Sequence, residues 1–178
     1  MGLDLGILYW IREHLTSPFW DVVFVQITNL GEVGIFWILL TGMLYFSKRT
    51  RRLAISLTIA LVFDLFLCNL TLKPMFDRVR PFVGRDIELI VPVPSESSFP
   101  SGHSAVSFAA AFTVLFHDRK WGKGAIALAT VIAFSRLYLF VHYPTDVIAG
   151  CLCGFVSALF SSCFRFEEKR ALRPFFSI

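Results

Sequence analysis

The sequence predicts an all-α protein: a bundle of six transmembrane helices preceded by a short helix at the membrane interface. Three observations predict it. Of 178 residues, 56% are hydrophobic and 16% aromatic, 20 of them Phe, with a mean hydropathy of +0.66. Charged residues make up only 17%, against about 25% in an ordinary soluble domain. The apolar residues also gather into six segments separated by polar or Gly- and Pro-bearing breaks.

The elements follow in order. Residues 3–15 read as a mildly amphipathic interfacial helix with Leu, Ile, Tyr and Trp on one side. The six apolar segments are 18–30, 33–47, 53–72, 103–117, 124–141 and 146–164. A full span needs about 20 apolar residues, which the third, fifth and sixth supply. The first two are short. Ser17-Pro18 marks a helix start and Gly31 a stop, so they read either as two spans or as one long helix divided at Gly31-Glu32. Six spans are the expectation. Residues 73–102 form the one long connection, punctuated by Pro74, Pro81, Pro92, Pro94 and Pro100; its stretch Ile87 to Val91 is expected beside lipid tails. Gly150 and Gly154 form a small-residue pair suited to helix packing. A single domain, residues 1–178, is expected, and no cleavable signal peptide, because Asp4 and Arg12-Glu13-His14 precede any long apolar run.

Charge sets the expected orientation. Twelve of the seventeen basic residues (Arg12, the run Lys48 to Arg52, Arg119, Lys120, Lys123, Arg165, Lys169, Arg170 and Arg173) fall on one face. The face crowded with Lys and Arg is cytoplasmic, which places both ends of the chain inside and the opposite face, with Lys73, Arg78, Arg80, Arg85 and Arg136, outside. The net charge of +4 is not a nucleic-acid signal, because the basic residues cluster at segment ends. Cys68, Cys151, Cys153 and Cys163 all lie in apolar segments; neither a disulfide framework nor a zinc pattern fits them, and Cys151 and Cys153 read as packing residues on different sides of one helix.

Three short stretches carry chemistry, each at the end of an apolar segment on the outer face. Lys73 is followed by Arg80-Pro81. Pro100-Ser101-Gly102-His103 opens the fourth segment. Ser135-Arg136 precedes His142 and Asp146. Pro144 suits the first turn of a helix, so Asp146 can reach back four residues to His142. A carboxylate on one imidazole nitrogen fixes the tautomer and sharpens the other as a nucleophile. Gly102 admits close backbone approach, the Ser101 hydroxyl and nearby N–H groups can donate to phosphate oxygens, and His103 is placed to protonate a departing oxygen. Lys73, Arg80 and Arg136 can offset charge on a phosphoryl transition state. Arg136 is the costly one, since an unpaired charge in a span costs about 2.5–3.5 kcal/mol. Asp64 and Asn69 are polar within the third span; Asp64 lies too deep for a phosphate site and reads as an interhelical hydrogen-bonding residue. Taken singly, each stretch also reads as an ordinary cap or turn. Together they point to phosphoryl transfer on a lipid-linked substrate, with no metal, no cofactor and no nucleic acid.

The three stretches, over residues 73–146, resemble the signature of the type 2 phosphatidic acid phosphatase superfamily: Lys-x6-Arg-Pro, Pro-Ser-Gly-His and Ser-Arg-x5-His-x3-Asp, complete and in order. The resemblance implies that Lys73, Arg80, Ser101, Gly102 and Arg136 bind phosphate. It makes His142 the nucleophile that becomes phosphorylated, Asp146 its orienting residue and His103 the proton donor. It further implies a lipid phosphatase of a bacterial inner (plasma) membrane, with the site facing the periplasm or exterior. Undecaprenyl pyrophosphate is the favoured substrate on family frequency. Phosphatidylglycerol phosphate, phosphatidic acid and lipid A phosphates are alternatives; a vanadium haloperoxidase-like oxidoreductase and a non-catalytic lipid-binding protein are more remote. Protein partners and oligomeric state are not legible.

Overall fold

The computed structural model describes residues 2–164, and these are all helix and connection, with no strand. Seven helices follow in order: α1 (Leu3–Leu15), α2 (Pro18–Leu30), α3 (Ile35–Tyr45), α4 (Arg51–Phe76), α5 (Gly102–His117), α6 (Arg119–Tyr138) and α7 (Pro144–Cys163). Several boundaries follow from local chemistry. Ser17 caps α2 by accepting a hydrogen bond from the Trp20 N–H, Pro18 takes the first turn, and Gly31 ends the helix. Asp118 caps α6 through the N–H groups of Lys120 and Trp121. Pro144 opens α7 as its sequence position predicts. Within α4 the stretch Leu65–Leu72 widens into π-helical turns, a local change often found beside functional sites.

The core is organised around α5. Its Ala105, Ala109, Ala110 and Ala111 are fully buried, and α7 meets this alanine face with Gly150 and Gly154. A Cβ on Gly150 would sit 2.5 Å from the Ser101 carbonyl oxygen, and one on Gly154 would sit 2.6 Å from the Ala105 carbonyl oxygen. The glycine pair therefore packs helix backbone against helix backbone, as its spacing predicts. Cys68 and Cys153 pack with Ala105 in this seam, while Cys151 turns toward a different cluster. On the other side of α5, Trp37 of α3 packs with Leu57, Ala110, Val114 and Ile132, and its indole N–H donates to Ser107 Oγ at 3.0 Å. Asp64 accepts from Ser157 Oγ at 3.3 Å, so it does join α4 to α7.

Two helices, α4 and α7, are each long and apolar enough to cross a membrane. The pair α2 and α3 also meets that description, but only together and bent by 44°. Six separate spans are therefore not confirmed. α2 and α3 have 13 and 11 residues, too few for one crossing each. The break between them is a 3-10 turn, Glu32–Gly34, with Val33 at φ 49 and Gly34 at φ 70. The C-terminal end of α4, the start of α5, the end of α6 and the start of α7 gather at one end of the bundle, beneath the connection 77–101. α1 lies across that same end. Its Leu8 packs on Phe140 and Tyr143, and Asp4 accepts from Arg78 and Thr145. Ile87 packs with the Leu8 cluster, and Leu89 and Val91 with the Ile11 cluster. This part of the connection is thus partly covered by α1. The basic residues from Arg165 onward, used to orient the chain, lie outside the described residues.

Candidate active site

A cavity of about 1070 Å³ opens at this end, and Lys73, Arg80, Gly102, His103, Arg136 and His142 all line it. Ser101 and Asp146 are wholly buried and stand behind the wall. The structure thus brings all eight predicted residues together, six on the surface of the cavity and two supporting it.

His142 sits in the short turn between α6 and α7, where Phe140 adopts φ 60 and reverses the chain. The ring is buried. Its Nδ1 lies 2.7 Å from the Ser98 carbonyl oxygen, an acceptor only, so Nδ1 carries the proton and Nε2 the lone pair. Asp146 Oδ2 is farther from Nδ1, at 3.6 Å. The carboxylate therefore acts on His142 mainly by charge and through Ser98, whose hydroxyl donates to Asp146 at 2.5 Å. This refines the expected direct His142–Asp146 pairing. The reason is competition: Asp146 also accepts from the Tyr143 N–H at 2.8 Å and from Arg78 Nη1 at 2.5 Å. The His142 imidazole is pushed down to about 4, by burial first and by Arg136 and Arg80, with Asp146 opposing them. The ring is neutral at pH 7, as a nucleophile requires.

Arg80 reaches the cavity from the connection. Its Nε donates to the Glu96 carbonyl oxygen at 2.8 Å and its Nη1 to the Val141 carbonyl oxygen at 2.9 Å. Nη1 also lies 3.3 Å from His142 Nε2. A phosphoryl group attacked by Nε2 would meet this guanidinium directly. Lys73, at the last turn of α4, pairs with the Glu96 carboxylate. That bond holds the Glu96 carboxyl below its ordinary range. Gly102 lies close to the polar wall: a Cβ there would stand 3.2 Å from Asn69 Oδ1, a tight contact, and 3.7 Å from Lys73 Nζ, an ordinary one. Ser101 caps α5, and its hydroxyl is engaged by Ser104. Its own N–H donates to the Asp146 carbonyl oxygen at 3.0 Å. Its observed bonds therefore tie α5 to α7.

Arg136 projects from α6, and Nη1 donates to Thr28 Oγ1 of α2. Among the described residues, three buried side-chain polar atoms lack a hydrogen-bond partner: Arg136 Nε, His103 Nε2 and Asn69 Oδ1. All three residues line this cavity. Buried polar atoms are rarely left unpaired, and three in one polar cavity mark a place built for a polar ligand. Among the described residues no cluster of His, Cys, Asp and Glu could hold a metal ion.

The sequence reading missed Ser98, Arg78 and Glu32. Ser98 holds both members of the His142–Asp146 pair. Arg78 bridges Asp146, Thr145 and Asp4 while stacking 4.0 Å from the Tyr143 ring centre. Glu32 Oε2 lies 3.3 Å from His103 Nε2, close but not aligned as a hydrogen bond. None of the three belongs to a spaced motif; each reaches the site by tertiary folding.

Comparison with known proteins identifies the family. The chain is 38% identical to an undecaprenyl-diphosphatase of Sulfolobus acidocaldarius over 66% of its own length and 58% of that protein's. It thus spans less than two thirds of that relative. It is 28% identical to undecaprenyl-diphosphatase BcrC of Bacillus subtilis over 87% of its own length and 78% of that protein's. A transmembrane PAP2-type phosphatidylglycerolphosphate phosphatase from Bacillus subtilis superposes with a TM-score of 0.74 at 27% identity, covering 95% of this chain and 87% of that one. A sequence profile of the PAP2 superfamily matches residues 49–170, a range that contains every residue of the cavity's cationic and histidine wall, and the chain belongs to that superfamily.

Proposed function

We propose that the protein is a membrane-embedded lipid phosphatase that works through a phosphohistidine intermediate, with undecaprenyl pyrophosphate as the favoured substrate. The observation that carries the reading is the wall itself: a neutral His142 Nε2 beside Arg80, with Lys73, Arg136 and His103 around one cavity. His142 Nε2 attacks the terminal phosphorus, and the bond from that phosphorus to the leaving oxygen breaks: the bridging oxygen of a pyrophosphate, or the ester oxygen of a monoester. His103 gives that oxygen a proton. Water then attacks the phosphohistidine, His103 takes its proton, and inorganic phosphate leaves. Lys73, Arg80 and Arg136 meet the charge on the phosphoryl oxygens, a type of stabilisation worth several kcal/mol in a dry site, about 2.7–4 kcal/mol for one donor. Asp146, through Ser98, keeps the His142 proton on Nδ1. No metal ion takes part.

The preference for undecaprenyl pyrophosphate rests on the relatives' names. Phosphatidylglycerol phosphate, phosphatidic acid and lipid A phosphates remain the alternatives, since the wall recognises phosphate and not the rest of a head group. The cavity supports a lipid tail in either case. Beyond the cations it continues between α3 and α4 past Ile38, Leu61, Val62 and Leu65.

The whole chain is read as one domain in a plasma membrane, with the site on the outer face. The helix lengths and contacts favour five crossings: α2 with α3 as one bent span, then α4, α5, α6 and α7. α1 then lies in the interface on the site's side, where Leu3 and Trp10 are exposed and face lipid. Arg12 moves to that outer side; among the described residues Lys48, Arg49, Arg51, Arg52, Arg119, Lys120 and Lys123 stand at the opposite end, which is still the cytoplasmic side by charge.

The test is phosphate release by the purified protein in detergent from a panel of lipid phosphates and pyrophosphates, with excess chelator present. Turnover of undecaprenyl pyrophosphate with chelator is the expected result. No release from any lipid phosphate overturns the reading, and activity restored only by added magnesium overturns the metal-free mechanism.

A further inference from the structure

We infer that Glu32, set against His103 by the broken helix between α2 and α3, is the positioning residue that keeps His103 protonated for its role as proton donor. The inference rests on the phosphatase reading above, and adds to it a residue outside the three signature stretches.

Three observations place Glu32 there. Its Oε2 lies 3.3 Å from His103 Nε2, and both residues line the cavity. The turn that carries it lies directly on the imidazole: a Cβ on Gly31 would come within 2.7 Å of His103 Cδ2. The turn is also held in a costly shape. Val33, a β-branched residue, has φ 49, a conformation such residues rarely adopt, and strained backbone of this kind persists where the surroundings impose it. Gly34 follows at φ 70, against Val106 of α5.

The electrostatic need is specific. Around His103 stand Lys73 of α4, Arg80 of the connection, Arg136 of α6 and His142 of the turn after it, all on one wall. Burial of the ring disfavours the imidazolium form first, and the like charges around it add to that. Glu96 also faces the cavity, but its carboxylate is paired with Lys73. Asp146 is buried behind His142 and engaged by Arg78, Ser98 and Tyr143. Among the described residues this leaves Glu32 as the carboxylate in contact with His103. The proton that Glu32 favours passes from His103 to the leaving oxygen as the phosphorus–oxygen bond breaks, and returns from water in the second step.

The test uses the full chain in detergent. The pH dependence of kcat/KM is measured for the wild type, Glu32→Gln and Glu32→Asp on phosphatidic acid and on para-nitrophenyl phosphate. His103 must be protonated to act, so activity on the alkyl substrate falls as pH rises through its titration. Glu32→Gln is expected to move that alkaline limb down by about one pH unit, a loss of about tenfold in kcat above it. KM should not rise, since a negative charge has left the phosphate's surroundings. The aryl substrate, whose leaving group needs little protonation, should be affected far less, and Glu32→Asp should recover part of the shift. An unmoved limb, or equal losses on both substrates, overturns the inference. A second measurement does not depend on turnover: the His103 resonance of 15N-histidine-labelled protein, assigned by its absence in His103→Ala, is titrated in wild type and Glu32→Gln. A midpoint lower by about one unit in the variant is expected, and an unchanged midpoint overturns the inference. If the wild type releases no phosphate from any lipid, the phosphatase reading fails while this titration still decides the Glu32–His103 coupling.

Discussion

His142 presents Nε2 to the cavity because Nδ1 is already held. Ser98 supplies the carbonyl, Asp146 the charge, and Arg78 holds Asp146 in turn. His103 has a different setting, on the first turn of α5, with Nε2 3.3 Å from the Glu32 carboxylate and making no hydrogen bond. The two imidazoles are thus suited to different tasks, and the difference is measurable. A nucleophile is needed whatever departs, so His142→Ala should abolish turnover of every substrate. A general acid contributes about 10²–10⁴-fold, and most when the leaving oxygen is strongly basic. His103→Ala should lose that factor on phosphatidic acid and keep much more activity on para-nitrophenyl phosphate. Both variants are compared on both substrates after confirming that each remains folded in detergent. If His142→Ala retains the aryl activity while His103→Ala loses both equally, the roles are reversed.

At the scale of elements, the site depends on how closely α7 lies against α5. Gly150 sits against the Ser101 carbonyl and Gly154 against the Ala105 carbonyl, so α7 can carry Asp146 under the start of α5, where the Ser101 N–H meets the Asp146 carbonyl. Gly154→Val puts a branched side chain where even a Cβ does not fit. Overpacking of this kind costs about 1–3 kcal/mol, and the unfolding temperature in detergent should fall. A Gly154→Val protein as stable as the wild type would show that this contact is looser than described. The same substitution at Gly124, where a Cβ would meet nothing within 4 Å, is the control. The broken α2–α3 element acts similarly from the other side. Thr28 holds Arg136 at one edge of the break and Glu32 meets His103 at the other.

At the scale of the whole molecule, the question is which face of the membrane holds the site, and how many crossings separate residue 2 from α7. Single cysteines at Ser95, Ser47 and Gly2, each in a background without the native cysteines, separate the possibilities. On the orientation proposed above, with the basic run from Lys48 to Arg52 at the inner face, a membrane-impermeant thiol reagent on intact cells should label Ser95→Cys and spare Ser47→Cys. Five crossings predict that Gly2→Cys is labelled with Ser95→Cys; six predict that it is spared. Labelling of Ser47→Cys alone would reverse the orientation and place the chemistry inside.

The sequence by itself determined the helical class, most helix boundaries and the eight residues that meet at the cavity. The reason is that these are written locally. Apolar runs set helix length, Ser17-Pro18 and Pro144 set helix starts, and each signature stretch lies at a helix end or on the connection leading from one. The glycine pair and the Asp64 cross-link were legible on the same ground, because spacing along one helix decides which side chains share a face. What only the tertiary structure decided is how the residues divide their work. Ser98, Arg78 and Glu32 lie 44, 68 and 71 positions from the site residues they hold (His142, Asp146 and His103), and no local pattern links such partners. Whether 18–30 and 33–47 made one crossing or two was equally out of reach. Their summed hydropathy allows both, and the bend at Val33 and Gly34 arises where the turn packs against His103 and Val106 of another helix.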